Sequence, residues 1–419
     1  MLHSDSQILQ RFMNPIVKEY NKNREKKPFL SKVSQIFIEK ILGWMEDAEE
    51  SFSFSKTTIL ETDLDKEDGI VKGTRHHHIP HEVNDYIERM DWIGKKLEFS
   101  IGIRTFNIYL VHPIDINNSK TQILEWFNEI KKMIYCWLYI ASMQSTKGCS
   151  KKLDIYLYFT DFKKEFPKDR NDILGDMNVN TAYTFSCSLS DSGNNEMYIY
   201  RKEEWFKVFI HESFHSFALD FSNMSRDFSD KQILKIFPLH IDLRFYETYT
   251  EMWAEVINII YIVYSSKIKN KIVKVTEYLK MEQLFSLFQA LKILKYNHIS
   301  YVELYEMTES AKMKRIHNYK ENTPVMAYYI LKSICMMNVG EFIEWTTVSN
   351  KGSLNFRKTE SYLLSFINFI KERYNRSDFL KALEFIEGYY STLLKRKLLD
   401  GFYDVLNSLR MSMFTPMKI

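Results

Sequence analysis

His211-Glu212-Ser213-Phe214-His215 is the stretch on which the reading of this chain turns. At 3.6 residues per turn, positions four apart lie one turn apart on one helix face, so both imidazoles would reach a single ion at about 2.0–2.1 Å. Glu212 follows His211 by about 100° of rotation, which carries its carboxylate beside that ion rather than onto it. A carboxylate so placed can take a proton from a water that the metal acidifies, and can later return it to a leaving amine. The pattern points to zinc and to hydrolysis, with His211 and His215 as metal ligands and Glu212 as the catalytic general base.

A catalytic zinc keeps three protein ligands and one open position, so a third ligand is needed. In the pattern HExxHxxGxxH, Gly and His would stand where this chain has Ala218 and Phe221, and that route is closed. Downstream, the segment from Arg244 to Ile257 offers Glu247, Glu251 and Glu255 at i, i+4 and i+8. They form an acidic stripe on an otherwise apolar and aromatic helix. A bare HExxH is often no more than a polar helix face. Here that reading would also leave Glu251 and Glu255 as unpaired carboxylates on an apolar helix, which is strongly unfavourable, whereas a cation answers them.

HESFH followed by Glu251-Met252-Trp253-Ala254-Glu255 resembles the gluzincin metallopeptidases, most closely the ExxAE version of the anthrax lethal-factor-like peptidases. The resemblance covers roughly residues 180–260. It implies a zincin-like metalloprotease fold, a Zn2+ cofactor and a peptide or protein substrate, with Glu251 as the third ligand and Glu255 hydrogen-bonded to a ligand histidine. A second register, Glu247-Thr248-Tyr249-Thr250-Glu251, would make Glu247 the ligand and Glu251 its support. The small Ala254, which lets helices approach closely, favours the first register and leaves Glu247 in the second layer.

Lethal-factor-like enzymes also place a Tyr several residues before the ligand Glu as a donor to the oxyanion, which marks Tyr246, although its offset differs. His240, Arg244, Tyr249, Tyr328 and Tyr329 are further candidates for that role. The GxMEN segment of the large aminopeptidases does not occur, so an endopeptidase is the expected type. The run from Met197 to His211 is similar to metallopeptidase-like proteins of large nucleocytoplasmic DNA viruses. The competing expectation is a zincin-fold structural or interaction protein, a virion component for instance, that binds zinc without turnover. The intact Glu212 argues against it, because loss of the base is the simplest route to inactivity.

Composition bounds the rest. With 419 residues, 45% of them hydrophobic, the chain can bury a large core. A net charge of +3 gives no electrostatic case for nucleic acid. Cys136, Cys149, Cys187 and Cys335 form no CxxC pair, so reduced thiols in an intracellular (cytoplasmic or virion-associated) setting are expected. The first residues lack the basic and apolar segments of a secretory signal, and no apolar run approaches the length of a membrane span.

The expected fold class is α+β. Residues 1–95 read as a helical N-terminal region, with a charged break from Glu61 to Gly73. Residues 96–228 read as an upper lobe with sheet and HExxH helix, and 229–419 as a helical lower lobe with the Glu-ligand helix. Strands are expected at Leu97 to Ile103, Thr105 to Val111 and Leu153 to Phe159, and a long helix from Gln122 to Met143. Thr181 to Ser186 and Glu196 to Tyr200 would form a hairpin around the Asp191-Ser192-Gly193-Asn194-Asn195 turn, and Met197 to Tyr200 or Thr181 to Ser186 would be the substrate-facing edge. Two further features invite readings. The cluster from Arg75 to His81 could face substrate, but adjacent His side chains diverge and no ligand set is complete. Asp220 could support a ligand histidine, but a helix-end carboxylate is the plainer reading.

Overall fold

The computed structural model describes residues 3–22, 28–54, 59–65, 78–114, 119–146, 148–187, 193–395 and 403–416. Helices α1 (Ser4–Lys22) and α2 (Lys32–Phe54) lead through strand β1 (Leu60–Leu64) and helix α3 (His81–Arg89) to a hairpin of β2 (Trp92–Ile101) and β3 (Arg104–Pro113). The hairpin closes at Gly102, whose φ of 59° is the left-handed conformation that a tight turn demands. Helix α4 (Lys120–Gln144) then crosses to β4 (Lys152–Tyr158), which lies parallel to β3. Ser119 starts α4 with a capping box: its hydroxyl accepts from the Gln122 amide, and its own amide donates to the Gln122 side chain.

Short α5 (Asp176–Val179) precedes β5 (Ala182–Thr184) and β6 (Asn194–Ile199), which pair antiparallel, while β6 runs parallel to β4. The six-stranded mixed sheet has the order β1-β2-β3-β4-β6-β5, with β5 at one edge. The chain is then helical: α6 (Trp205–Ser216), α7 (Arg226–Ile236), α8 (Tyr246–Tyr264), α9 (Lys271–Tyr296), α10 (Glu309–His317), a π-helical stretch (Met326–Leu331), α11 (Lys332–Met337), α12 (Val339–Ser349), α13 (Glu360–Lys371), α14 (Ser377–Lys395) and α15 (Tyr403–Asn407). The fold is α+β, and no helix among the described residues is long and apolar enough to cross a membrane.

The core runs through both the sheet and the helical part. Every residue of α6 is buried, and so is α8 from Glu247 to Val263, as expected of helices that are apolar nearly all round. The N-terminal helices pack into the same core: Phe12 meets Phe288 edge-on at 5.3 Å between ring centroids, and Phe37 meets Trp253 at 5.7 Å.

Two expectations are corrected. The charged run after Glu61 is a break only in part, because β1 occupies Leu60–Leu64 and pairs with β2, and Glu61 lies between the ammonium groups of Lys95 and Lys131. Charged side chains on an edge strand are compatible with pairing because one face of that strand meets water. Residues 66–73 of the run lie outside the described residues. The expectation of four reduced thiols fails for one pair: Cys149 and Cys187 form a disulfide across 38 positions, while Cys136 and Cys335 are free and buried. The pairing is a product of topology, since the parallel neighbours β4 and β6 bring their flanking loops together.

The disulfide holds the end of α6. The Cys187 amide donates to the His215 carbonyl at 3.1 Å, and the Ser150 hydroxyl donates to the Ser216 carbonyl at 2.7 Å. Replacing both cysteines by serine is expected to cost about 2–4 kcal/mol of unfolding free energy, because the unfolded chain regains the freedom of the released loop. Urea unfolding with and without reductant checks this: wild type should fall to the variant's stability on reduction, and identical curves in all four conditions would contradict it.

Candidate metal centre

Helices α6 and α8 lie against each other, antiparallel, with polar side chains in register across the contact. His211 Nε2 lies 3.0 Å from Glu247 Oε2, His215 Nε2 lies 3.2 Å from the same oxygen, and the two Nε2 atoms are 3.2 Å apart. These three atoms belong to the one group of His, Cys, Asp and Glu side chains among the described residues that could hold a metal ion. Ligands held about 2.0–2.1 Å from a tetrahedral zinc stand about 3.3 Å from one another, so the triangle fits zinc without rearrangement.

The outer nitrogens explain the inner ones. His211 Nδ1 lies 2.8 Å from Glu251 Oε2, and His215 Nδ1 lies 2.5 Å from Asp220 Oδ2. A carboxylate at each Nδ1 keeps a proton there and turns the Nε2 lone pair inward. With both rings neutral, three lone-pair acceptors converge in a buried space, an arrangement that repels itself unless a proton or a cation sits among them. The surrounding charge draws positive charge to this place. Burial pulls both imidazoles toward neutrality, but their carboxylate neighbours outweigh it, Glu247 and Glu251 for His211, Glu247 and Asp220 for His215, and hold both pKa values above the ordinary one. Burial would push Glu247 up, yet the two imidazoles hold its carboxyl far below the usual range.

Local backbone places these groups. Glu204 caps α6 from the left-handed region, at φ 57°, and is held there by Lys164 Nζ at 3.0 Å and by the Met411 and Ser412 amides. At the other end Ala218 takes φ 51°, a conformation that favours glycine, and the chain doubles back so that Asp220 returns to His215. The Ser222 hydroxyl and amide fix the second oxygen of Asp220.

Several sequence-predicted roles move. Glu251 is not at the triangle. It stands one helical turn further on, orienting His211 and pairing with Lys207 Nζ at 2.5 Å. Glu247, expected in the second layer, is the carboxylate that joins both histidines in the group that could hold a metal ion, the placement the alternative register describes. Glu255 does not reach a ligand histidine; it pairs with Lys332 Nζ at 2.7 Å. The reason is the axial offset of the two helices: α8 begins at Tyr246, and its first turn is what faces His211 and His215. Asp220 hydrogen-bonds His215 instead of standing as a plain helix-end carboxylate.

Among the tyrosines, Tyr246 packs edge-on against His215 at 5.6 Å and Tyr328 against His211 at 5.8 Å. Tyr328 lines the small cavity beside the triangle together with Glu212, Lys164, Lys207, Asn180 and Met411, whereas Tyr246 does not. Tyr249 and Tyr329 donate to the Leu354 and Leu409 carbonyls and are structural. His240 is exposed and Arg244 pairs with Asp242. Of the histidine cluster, His78 meets Tyr183 edge-on and His81 is exposed beside Asp85; Arg75, His76 and His77 lie outside the described residues.

Glu212 faces this cavity, and burial raises its pKa above the ordinary carboxyl value against the pull of both histidines. Tyr328 sits in the π-helical stretch, whose first amide, that of Met326, donates to Glu321 Oε2 at 2.7 Å; the Tyr319 hydroxyl donates to the same oxygen at 2.9 Å. Such stretches concentrate at functional sites. No protein-family model matches the chain, and neither a curated protein nor a solved structure does.

Glu247→Ala is expected to weaken zinc binding at least about a hundredfold, and Glu251→Ala by about ten- to a hundredfold as an orienting residue. Competition with a chromogenic chelator ranks them, and the reverse order would restore Glu251 as the ligand. A second expectation concerns Glu321, whose carboxyl burial pushes up to about 8. Because the folded value lies above the unfolded one, the stability it contributes is complete below about pH 4.5 and is lost as pH rises through about 8. Glu321→Gln should therefore flatten the fall in urea midpoint between pH 6 and pH 9, and parallel profiles for the two proteins would contradict this.

Proposed function

We propose that the chain is a zinc-dependent hydrolase acting on peptide bonds, an endopeptidase of gluzincin type. The observation that carries the reading is the inward-facing triangle of His211 Nε2, His215 Nε2 and Glu247 Oε2, with Glu212 on the wall beside it. A bound zinc would supply Lewis acidity, polarising a carbonyl and acidifying a water.

The chain's own residues account for the remaining parts. Glu212 carries its carboxylate into a cavity of about 30 Å³, room for about one or two waters. From there it accepts a proton from the attacking water and delivers it to the leaving amine, and its raised pKa suits a group that must do both. Tyr328, on the same wall, is the better placed oxyanion donor, and Tyr246 the second choice. β5, the terminal strand of the sheet, has its Ala182 in the cavity wall and offers an edge for an extended peptide to pair with. A mixed sheet with an antiparallel edge strand beside the HExxH helix also supports the zincin reading of the fold.

One observation favours a second reading, a metal-binding protein without turnover. The cavity is far smaller than the several hundred Å³ of an ordinary ligand site, and Met411 of the chain's own C-terminal segment forms part of its wall. A peptide would enter only after this wall moves. Glu212→Gln separates the readings: zinc content should stay at the wild-type level while cleavage of a peptide library falls at least about a hundredfold. Cleavage by the variant at the wild-type rate would remove Glu212 from the reaction, and a zinc-loaded wild type that cleaves nothing would support the binding protein.

A further inference from the structure

Lys207, His211 and His215 stand at i, i+4 and i+8 on α6, opposite Glu247, Glu251 and Glu255 at the same spacing on α8. The two rows interlock. Glu247 takes both histidines, Glu251 takes His211 with one oxygen and Lys207 with the other, and Lys207 feels the charge of Glu255 beyond. One end of the ladder is the metal triangle, and the other is an ammonium buried to 1% exposure.

Burying a lysine on the core face of a helix is costly, and an apolar side chain would fill that position without desolvation. Lys207 Nζ is held 2.5 Å from Glu251 Oε1 and 3.7 Å from Met411 Sδ, and the charges around it include Glu204, Glu255 and Lys164 as well. Its charge also acts on Glu212. Its hydrogen-bonded route to the triangle runs through Glu251, whose second oxygen lies 2.8 Å from His211 Nδ1.

We propose that Lys207 is a positioning residue of the metal centre: it anchors one oxygen of Glu251 so that the other locks the His211 ring with Nε2 toward the ion. The proposal rests on the metal-centre reading given above and extends it, so that the functional pattern becomes Lys-x-x-x-His-Glu-x-x-His on α6 read against Glu-x-x-x-Glu on α8. Without the ammonium, Glu251 keeps its contact to His211 but loses the partner that fixes its rotamer and balances its charge in a dry site.

The test is zinc affinity by chelator competition in wild type, Lys207→Met, Glu251→Gln and the double variant, with folding followed by circular dichroism in the presence of chelator. Lys207→Met is expected to weaken zinc binding about ten- to a hundredfold and to shift the visible bands of the cobalt-loaded protein. In the Glu251→Gln background the same change should cost less than about threefold, because its route to the metal is already cut. Wild-type affinity and an unshifted cobalt spectrum in Lys207→Met, or a full additive loss in the double variant, would overturn the proposal. Where Lys207→Met does not fold, the double variant, which removes both charges together, decides: affinity equal to that of Glu251→Gln supports the proposal, and a further tenfold loss overturns it. A wild type that takes up no zinc overturns the metal-centre reading itself, whereas a zinc-binding wild type with an indifferent Lys207 overturns this inference alone.

Discussion

Three proton acceptors pointed at one another inside a helix pair are the constraint on which the rest of this structure depends. His211, His215 and Glu247 bring two imidazole nitrogens and a carboxylate oxygen to within 3.2 Å of each other where little solvent reaches. Left alone, that arrangement costs several kcal/mol of desolvation and repulsion. A divalent cation would turn the same atoms into a site that ties α6 to α8. The surrounding features serve this end: Asp220 and Glu251 fix the imidazole tautomers, Ala218 turns the chain so that Asp220 can return, and the Cys149–Cys187 bridge steadies the loops against the end of α6.

The charge balance extends well below the site. Lys164 with Glu204, Lys207 with Glu251 and Lys332 with Glu255 are three buried ion pairs arranged around the C-terminal segment from Leu409 to Thr415. Backbone bonds hold its two ends, from the Leu409 amide to the Lys164 carbonyl and from the His3 amide to the Thr415 carbonyl, and side chains satisfy the stretch between: Glu204 accepts from the Met411 and Ser412 amides, Glu282 from the Met413 amide, and Gln289, Lys332 and Asn258 donate to the Arg410, Met411 and Phe414 carbonyls. A network of buried polar groups therefore surrounds this segment. Such a framework is rigid when fully paired and unforgiving when one member is lost.

How much of this was legible beforehand follows from the range of each signal. The HExxH helix, the long crossover helix and strands β2 to β4 are local patterns of periodicity and residue type, and they stand where those patterns put them. β1 was hidden because its charged side chains read as a loop, although on an edge strand they meet water or the cross-strand lysines. The choice among Glu247, Glu251 and Glu255 could not be made from spacing, since all three share one face of α8. Only the axial offset of the two helices, a matter of tertiary packing, decides which turn meets the histidines. Asp220 was ambiguous for the same reason, because its role depends on the left-handed turn at Ala218. The disulfide depends on the adjacency of β4 and β6, which no cysteine spacing encodes. Lys207 carries a faint signal: a lysine one turn before the first histidine, in line with both histidines on a helix that is otherwise largely apolar.

The central claim is that the triangle holds a metal, and elemental analysis of the purified protein tests it most directly. The account predicts about one equivalent of zinc in the wild type and almost none in His211→Ala purified alongside it. A folded wild type without metal, even after reconstitution with excess zinc, would contradict it and leave the three acceptors to be reconciled by shared protons alone.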